Sequence, residues 1–293
     1  MSDSLLTKEI PRTVGGCLSF IKFCFQDSGL EGLGDPRVLL CGVTGLNPCQ
    51  LVAFPDMVLE DMELLSIKKA MFRHLNHESI HRILGWCGFY NLKLEISPYT
   101  FEPRPETELL VSAVLSHVVN FSDRKSGMRI LDLGTGTGAV CLALLKECSD
   151  FKGIGVDVSC KALEVARKNA SINGLGRRFL TIQSNWFSFV KGFFDVIVSN
   201  PPYIASAVVD GLDSRVKDFD PRISLDGGAD GLSHYRILAD GVRRHLSKNG
   251  ICCIEIGYDQ KKDVVRIFEK KKLFLLKYVK DYGDNDRVLL FCR

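Results

Sequence analysis

Among its 11 cysteines the sequence has no Cys-x-x-Cys pair, and their number is odd. Those lacks argue against a disulfide framework and against a zinc site, and they point to a reducing compartment, the cytoplasm. Long apolar runs are also missing. The stretch Phe20-Ile21-Lys22-Phe23-Cys24-Phe25 is too short and too interrupted to span a bilayer or to act as a signal peptide. Asp3 and Glu9 speak against an organellar transit peptide. Charge of one sign is scarce, with a formal net of only +3. Residues 1–85 carry 8 Lys+Arg against 10 Asp+Glu, and the remainder 30 against 25. Neither part has the dense basic footprint of a nucleic-acid domain, so no direct nucleic-acid partner and no membrane partner is expected. Lys270-Lys271-Lys272 reads as a solvated helix end.

What is present is ordinary globular material. The 293 residues are 46% hydrophobic and 25% charged, enough for two domains and a sizeable core. Residues 1–85 read as a small helical domain, with Leu59, Met62, Leu65, Ala70 and Met71 at helical spacing. Pro36, Pro48 and Pro55 punctuate it where helices begin or end. His74, His77 and His81 share a helical spacing, but no carboxylate or Cys completes a metal set, so no metal is assigned. Residues 86–103 read as a β-hairpin linker, because Leu92-Lys93-Leu94-Glu95-Ile96 alternates strictly after a turn-like Tyr90-Asn91. Pro103-Arg104-Pro105-Glu106-Thr107-Glu108 then opens a helix: proline suits only its first turn, and acidic residues suit its positive end. Arg104 and Glu106 either shape a substrate mouth or cap that helix.

From about residue 127 strands alternate with helices, at 128–133, 153–158, 179–183, 195–199, 251–256 and 288–291, with helices at 139–147, 161–173, 235–246 and 263–271. Such alternation predicts an α/β domain over 104–293, its mostly parallel sheet covered on both faces. Between the first strand and helix stands Gly134-Thr135-Gly136-Thr137-Gly138. Glycines there let the backbone turn tightly and approach a ligand. Asp132 precedes the loop, and Asp157 ends the next strand, placed to accept hydrogen bonds from ribose hydroxyls. The spacing Gly-x-Gly-x-Gly differs from the dinucleotide fingerprint Gly-x-Gly-x-x-Gly, which favours S-adenosylmethionine over a nucleotide cofactor. A helix N-cap is the plainer role for Asp157, although Ser159 would serve equally well.

The decisive segment is Asn200-Pro201-Pro202-Tyr203, delivered by the apolar strand 194–199 at the sheet edge where α/β proteins place ligands. Consecutive prolines fix φ and remove two N–H donors, leaving carbonyls on a stiff backbone. The Asn200 side-chain carbonyl can accept from an NH2 group. Together with the Pro201 carbonyl it can hold both hydrogens of a planar amine or amide, which packs on the flat face of Tyr203. An amide nitrogen is a poor nucleophile, so alignment must supply most of the acceleration, roughly 7–11 kcal/mol in favourable cases.

Asn-Pro-Pro-Tyr behind such a strand resembles the motif of enzymes that methylate planar nitrogens in DNA, RNA or glutamine side chains. Pro103-Arg104-Pro105-Glu106-Thr107-Glu108 looks like the signature of the release-factor glutamine N5-methyltransferases, the HemK/PrmC family. The related ribosomal-protein glutamine methyltransferases typically have Pro-Arg-Ser-Pro there. Also matching are Arg82-Ile83-Leu84-Gly85, Ala166-Arg167-Lys168-Asn169-Ala170, Asp220-Pro221-Arg222, Leu225-Asp226-Gly227-Gly228, Glu255-Ile256-Gly257 with Gln260, and Asp286-Arg287-Val288. The resemblance spans roughly residues 30–293 in order. It implies a class I methyltransferase with a Rossmann-like seven-stranded sheet and a helical N-terminal domain that recognises substrate. The implied reaction moves a methyl group from S-adenosylmethionine to the glutamine amide of the Gly-Gly-Gln motif in class I release factors, acting as a monomer. By position it implies Gly134–Gly138, Asp157, Trp186 and Asn200 at the cofactor, with Asn200, Pro201, Pro202 and Tyr203 at the substrate glutamine. Plain core packing is the alternative for Trp186. Two positions depart from the pattern: Glu102 replaces an apolar residue, and Asn185 replaces an Asp before Trp186. A nucleic-acid base methyltransferase and a non-catalytic release-factor- or ribosome-binding module are the competing functions. The first needs an added basic region, and an intact glycine loop with Asp157 and Asn200 opposes the second.

Overall fold

The computed structural model describes residues 9–119 and 126–293, so Asp3 lies outside the described residues. The chain divides into two compact units, one ending at Trp86 and the other beginning at Cys87. No helix among the described residues is long and apolar enough to cross a membrane.

Among the described residues, five helices make the first unit: α1 (Val14–Asp27), α2 (Pro36–Thr44), α3 (Pro48–Ala53), α4 (Asp61–Leu75) and α5 (Ile80–Leu84). Local chemistry sets their ends. Pro36 and Pro48 stand at the first turns of α2 and α3, behind the caps Asp35 and Asn47. Gly45 and Gly85 close α2 and α5 in the left-handed conformation. The core joins Val14, Cys17, Ile21, Leu39, Leu40, Ile67 and Met71. Met62 and Leu65, two of the apolar residues at helical spacing, face outward at 71% and 46% exposure. Ile67, Ala70, Met71, His74 and Leu75 form the buried face. Helical spacing identifies a stripe but cannot say which of two overlapping stripes meets a partner. His74 is a core side chain: its Nδ1 lies 2.8 Å from the Glu78 carbonyl, and its ring packs on Phe25.

A hairpin, β1 (Trp86–Phe89) and β2 (Leu92–Glu95), begins at the boundary. Tyr90 and Asn91 both take positive φ, as a two-residue hairpin turn requires. Cys87, Phe89, Leu92 and Leu94 belong to the second unit's core. A short 3-10 turn (Pro105–Thr107) leads into α6 (Glu108–Val119). The sheet domain then follows as β3 (Arg129–Leu133), α7 (Ala139–Glu147), β4 (Lys152–Asp157), α8 (Cys160–Ile172), β5 (Phe179–Gln183) and β6 (Phe194–Ser199). Short helices α9 (Ser206–Val209) and α10 (Ser214–Lys217) precede α11 (Ser233–His245), β7 (Leu246–Glu255), α12 (Lys261–Glu269), β8 (Phe274–Lys280) and β9 (Asp286–Cys292).

The seven-stranded sheet has the order β5-β4-β3-β6-β7-β9-β8. β3 to β7 pair in parallel, and β9 runs antiparallel to both β7 and β8. Side chains alternate between two cores. Ile130, Val196, Val198, Cys253 and Leu290 face the layer of α6, α7 and α8, whereas Leu131, Ile197, Cys252, Ile254 and Leu289 face α11 and α12. Adjacent Cys252 and Cys253 therefore point to opposite faces as small buried apolar groups. Strand β8 was not anticipated from sequence, because Phe274–Lys280 is mostly exposed at the sheet edge and shows no clean apolar alternation. Strand β7 starts at Leu246, ahead of the expected 251, since Lys248 and Asn249 are polar residues in an exposed strand start. Strand order reverses between β3 and β6, and at their C-terminal ends an open α/β sheet leaves a crevice.

Candidate active site

The glycine loop begins where β3 ends. Amides of Gly134 and Thr135 both donate to the Val156 carbonyl at 2.9 Å, which pins the loop over β4. Gly134, Gly136 and Gly138 have φ of +70°, +53° and +83°, a region that side chains make costly. A Cβ built on Gly136 would meet nothing within 4 Å, so that backbone borders open space. Beneath the loop, buried Asp132 accepts from Thr135 Oγ1 at 2.7 Å and from the Cys141 amide at 3.4 Å. Burial pushes its carboxyl up to about 7. Asn169, fully buried on α8, ties this region to the hairpin: its side chain donates to the Thr137 and Glu95 carbonyls and accepts from the Glu95 amide.

Asp157 ends β4 beside the loop. Its Oδ2 accepts from Gly136 N–H and its Oδ1 from Ser159 N–H, both at 2.9 Å. Burial raises its pKa, opposed by these backbone donors. The N-cap of α8 is Ser159, whose hydroxyl accepts from the Ala162 amide. Asp157 is thus not the helix cap. Trp186 is half-buried, takes a left-handed φ of +52°, and lies 3.8 Å from where a side chain on Gly134 would begin. Its ring also packs on His234, with centroids 5.1 Å apart.

The turn Asn200–Tyr203 leaves β6 in the same crevice. Asn200 Nδ2 donates to Thr107 Oγ1 at 3.2 Å, and Thr107 in turn donates to Glu255 Oε2 at 2.7 Å. Glu255, at the end of β7, is 2% exposed. Desolvation pushes its carboxyl up to about 7, and burial with the Glu255 charge pushes the Tyr203 hydroxyl up to about 12. The backbone of Tyr203 is clamped: its carbonyl accepts from Gln260 Nε2 at 2.9 Å, and Gln260 Oε1 accepts from the Gly257 amide at 3.0 Å. Segment 225–231 packs against the same turn. Ile204 N–H donates to the Leu225 carbonyl, and Gly227 N–H to that of Ile204.

One cavity of about 530 Å³ connects these groups. It is lined by Gly134, Thr135, Gly136, Thr137, Asp157, Trp186 and Asn200 to Tyr203. Gly138 does not line it; it lies behind, as the N-cap of α7. The volume lies in the usual range for cofactor sites, roughly 300–1,000 Å³. A carboxylate beside an exposed backbone loop and an indole ring suits a ribosyl group bearing a flat base. The cavity is further lined by Tyr99, Phe101 and Arg104 and by Leu212, Val216 and Ile223. Apart from Arg104, those residues carried no sequence signal, since neither group has a repeating pattern. Arg104 belongs to the mouth and holds Asp220 at 2.6 Å, and Asp220 also accepts from the Glu102 amide. Glu106 sits exposed in the first turn of the 3-10 segment.

Residues 124–279 match the family described as "Methyltransferase domain", and residues 25–85 match "PrmC N-terminal domain". A release factor glutamine methyltransferase of Agrobacterium fabrum is 50% identical over 263 residues, covering 90% of this chain and 91% of the relative. One from Rhodospirillum rubrum is 41% identical over 256 residues, covering 87% and 77%. Among solved structures, a methyltransferase from Pyrococcus furiosus aligns with a TM-score of 0.50 at 20% identity, covering 68% of this chain and 88% of that one, a likeness of fold. With most of both chains aligned at that identity, this chain belongs to the release factor glutamine methyltransferase family.

Proposed function

We propose that the enzyme transfers a methyl group from S-adenosylmethionine to the side-chain amide nitrogen of the glutamine in the Gly-Gly-Gln motif of class I release factors. Gly134 to Thr137, Asp157, Trp186 and Asn200 would hold the cofactor, Asp157 at the ribose hydroxyls and Trp186 beside the base. When bound, S-adenosylmethionine supplies an electrophilic methyl on a sulfonium. Asn200 Oδ1 and the Pro201 carbonyl accept the two amide hydrogens of the substrate, Pro202 stiffens the turn, and Tyr203 packs on the amide plane. This arrangement localises the lone pair on nitrogen and aims it. That nitrogen would take the methyl from the bound cofactor, which leaves as the thioether, and one amide proton would pass to solvent water. Each neutral hydrogen bond contributes only about 1 kcal/mol, so fixed geometry carries most of the acceleration. Residues 1–85 would read the protein substrate.

The observation that carries this reading is the opening of the Asn200–Tyr203 turn onto the same cavity as the glycine loop and Asp157. Incubation with tritiated cofactor and a purified release factor should label the Gly-Gly-Gln glutamine. Label that survives replacement of that glutamine, or that appears on nucleic acid instead, contradicts it.

A further inference from the structure

We propose that Glu255, acting together with the Thr107 hydroxyl, is a positioning residue that sets which end of the Asn200 side-chain amide faces the reacting nitrogen. The inference rests on the proposed role of Asn200 as acceptor for the substrate amide. Its basis is the direction of a hydrogen-bond chain. An ionised carboxylate can only accept. Thr107 Oγ1 lies 2.7 Å from Glu255 Oε2, so its single proton is committed to Glu255. The Thr107 oxygen then has only lone pairs to offer, and the group 3.2 Å away must be a donor, the NH2 of Asn200. With Nδ2 engaged, Oδ1 is the end left for the cavity, and only that end can accept from a substrate NH2.

Protonation of Glu255 removes the constraint. A neutral carboxyl can donate to Thr107, whose hydroxyl proton is then free to turn toward Asn200. The amide can rotate to place its NH2 against the substrate NH2, two donors facing each other. Burial places the Glu255 carboxyl at about 7, in the range where the chain would switch. The groups facing Glu255 are Thr107 and Glu106 from the 3-10 segment, Asn200 and Tyr203 from the turn, Tyr235 on α11 and Arg287 on β9. Tyr235 gives its hydroxyl to the Glu255 backbone carbonyl at 3.1 Å, and Arg287 is paired with Asp281 at 2.9 Å. Asn200 also hydrogen-bonds the Glu255 carboxyl directly, so Thr107 is one of two links between them.

The test compares Thr107→Val, Thr107→Ser and Glu255→Gln with the wild type, each first shown to bind S-adenosylmethionine by calorimetry. The side-chain amide of Asn200, identified by its loss in Asn200→Ala, is followed by 15N NMR from about pH 5.5 to about pH 8.5 without substrate. Expected are a shift centred near 7 in the wild type and in Thr107→Ser, a smaller one in Thr107→Val, and none in Glu255→Gln. Turnover should fall about tenfold or more in Thr107→Val with KM little changed, and Thr107→Ser should restore it. The acid limb of the wild-type pH profile should vanish in Glu255→Gln. A pH-insensitive Asn200 amide in the wild type overturns the proposal, as does turnover of Thr107→Val within about twofold of wild type. Because the NMR signal needs no substrate, an amide that titrates in a protein unable to label Gly-Gly-Gln upholds the positioning chain and refutes the substrate assignment alone.

Discussion

Replacing Asp157 with alanine tests whether the end of β4 holds the cofactor. The carboxylate accepts from Gly136 and Ser159 N–H at 2.9 Å on separate oxygens and from Val158 N–H, and both oxygens can share further hydrogen bonds from ribose hydroxyls. A hydrogen bond to a charged group contributes about 1.5–3 kcal/mol. Losing two at the lower end costs about 3 kcal/mol, or roughly 150-fold in Kd. The fold should survive, because Ser159 caps α8 independently. Asp157→Asn retains one acceptor oxygen and should lose about tenfold. Titration calorimetry with S-adenosylmethionine reads the affinity, and single-turnover methylation at saturating cofactor reads the chemistry. Turnover at saturation should stay within about threefold, since the carboxylate touches no reacting atom. A Kd for Asp157→Ala within about threefold of wild type would refute the reasoning, and so would a fall in saturated turnover matching the fall in affinity.

Asn200→Ala should show the opposite split, with turnover down about a hundredfold and cofactor Kd changed far less, because an aligned acceptor is lost; equal losses in kinetics and calorimetry would disprove that role. Gly231→Ala should lower stability by about 2 kcal/mol or more in urea denaturation, since φ is +72° and its Cβ would stand 2.5 Å from the Tyr203 carbonyl oxygen. Stability should also fall as pH rises toward 8. Folded Glu255 keeps its proton to about pH 7, whereas the unfolded side chain releases it near 4.5. Its stabilising contribution is therefore complete below the unfolded value and lost as pH climbs through the folded one, a swing of roughly 3 kcal/mol. Asp132, raised to about 7, adds to the same slope. Denaturation midpoints measured on both sides of neutrality should decline in the wild type and decline less in Glu255→Gln.

Features with local causes were legible in the sequence. Positive φ at Gly134, Gly136 and Gly138 needs glycine, paired prolines stiffen the turn after Asn200, and a left-handed pair at Tyr90-Asn91 makes the hairpin. Strand and helix alternation declared the α/β class, because burial on both sheet faces makes β3 and β6 mostly apolar. The inner face of α4 was not legible. Met62 and Leu65 have the same spacing as the buried residues, and only the partners of the helix decide which stripe is covered. Edge strand β8 escaped for the related reason that an exposed strand need not alternate.

The residues that complete the site lie far apart in the chain. Thr107 meets Glu255 across a separation of 148 residues and Asn200 across 93. Asn169 reaches Thr137 and the hairpin, and Gln260 reaches Tyr203. The amino-acid order alone determined the class of fold, the glycine loop and the stiff acceptor turn, because each follows from dihedral limits and hydrophobic periodicity within a short segment. Which carboxyls lose their water, and which hydroxyl joins Asn200 to one of them, was decided only when β6 and β7 were brought side by side. Desolvation and hydrogen-bond direction are properties of neighbours in space, and the chain does not record them in sequence.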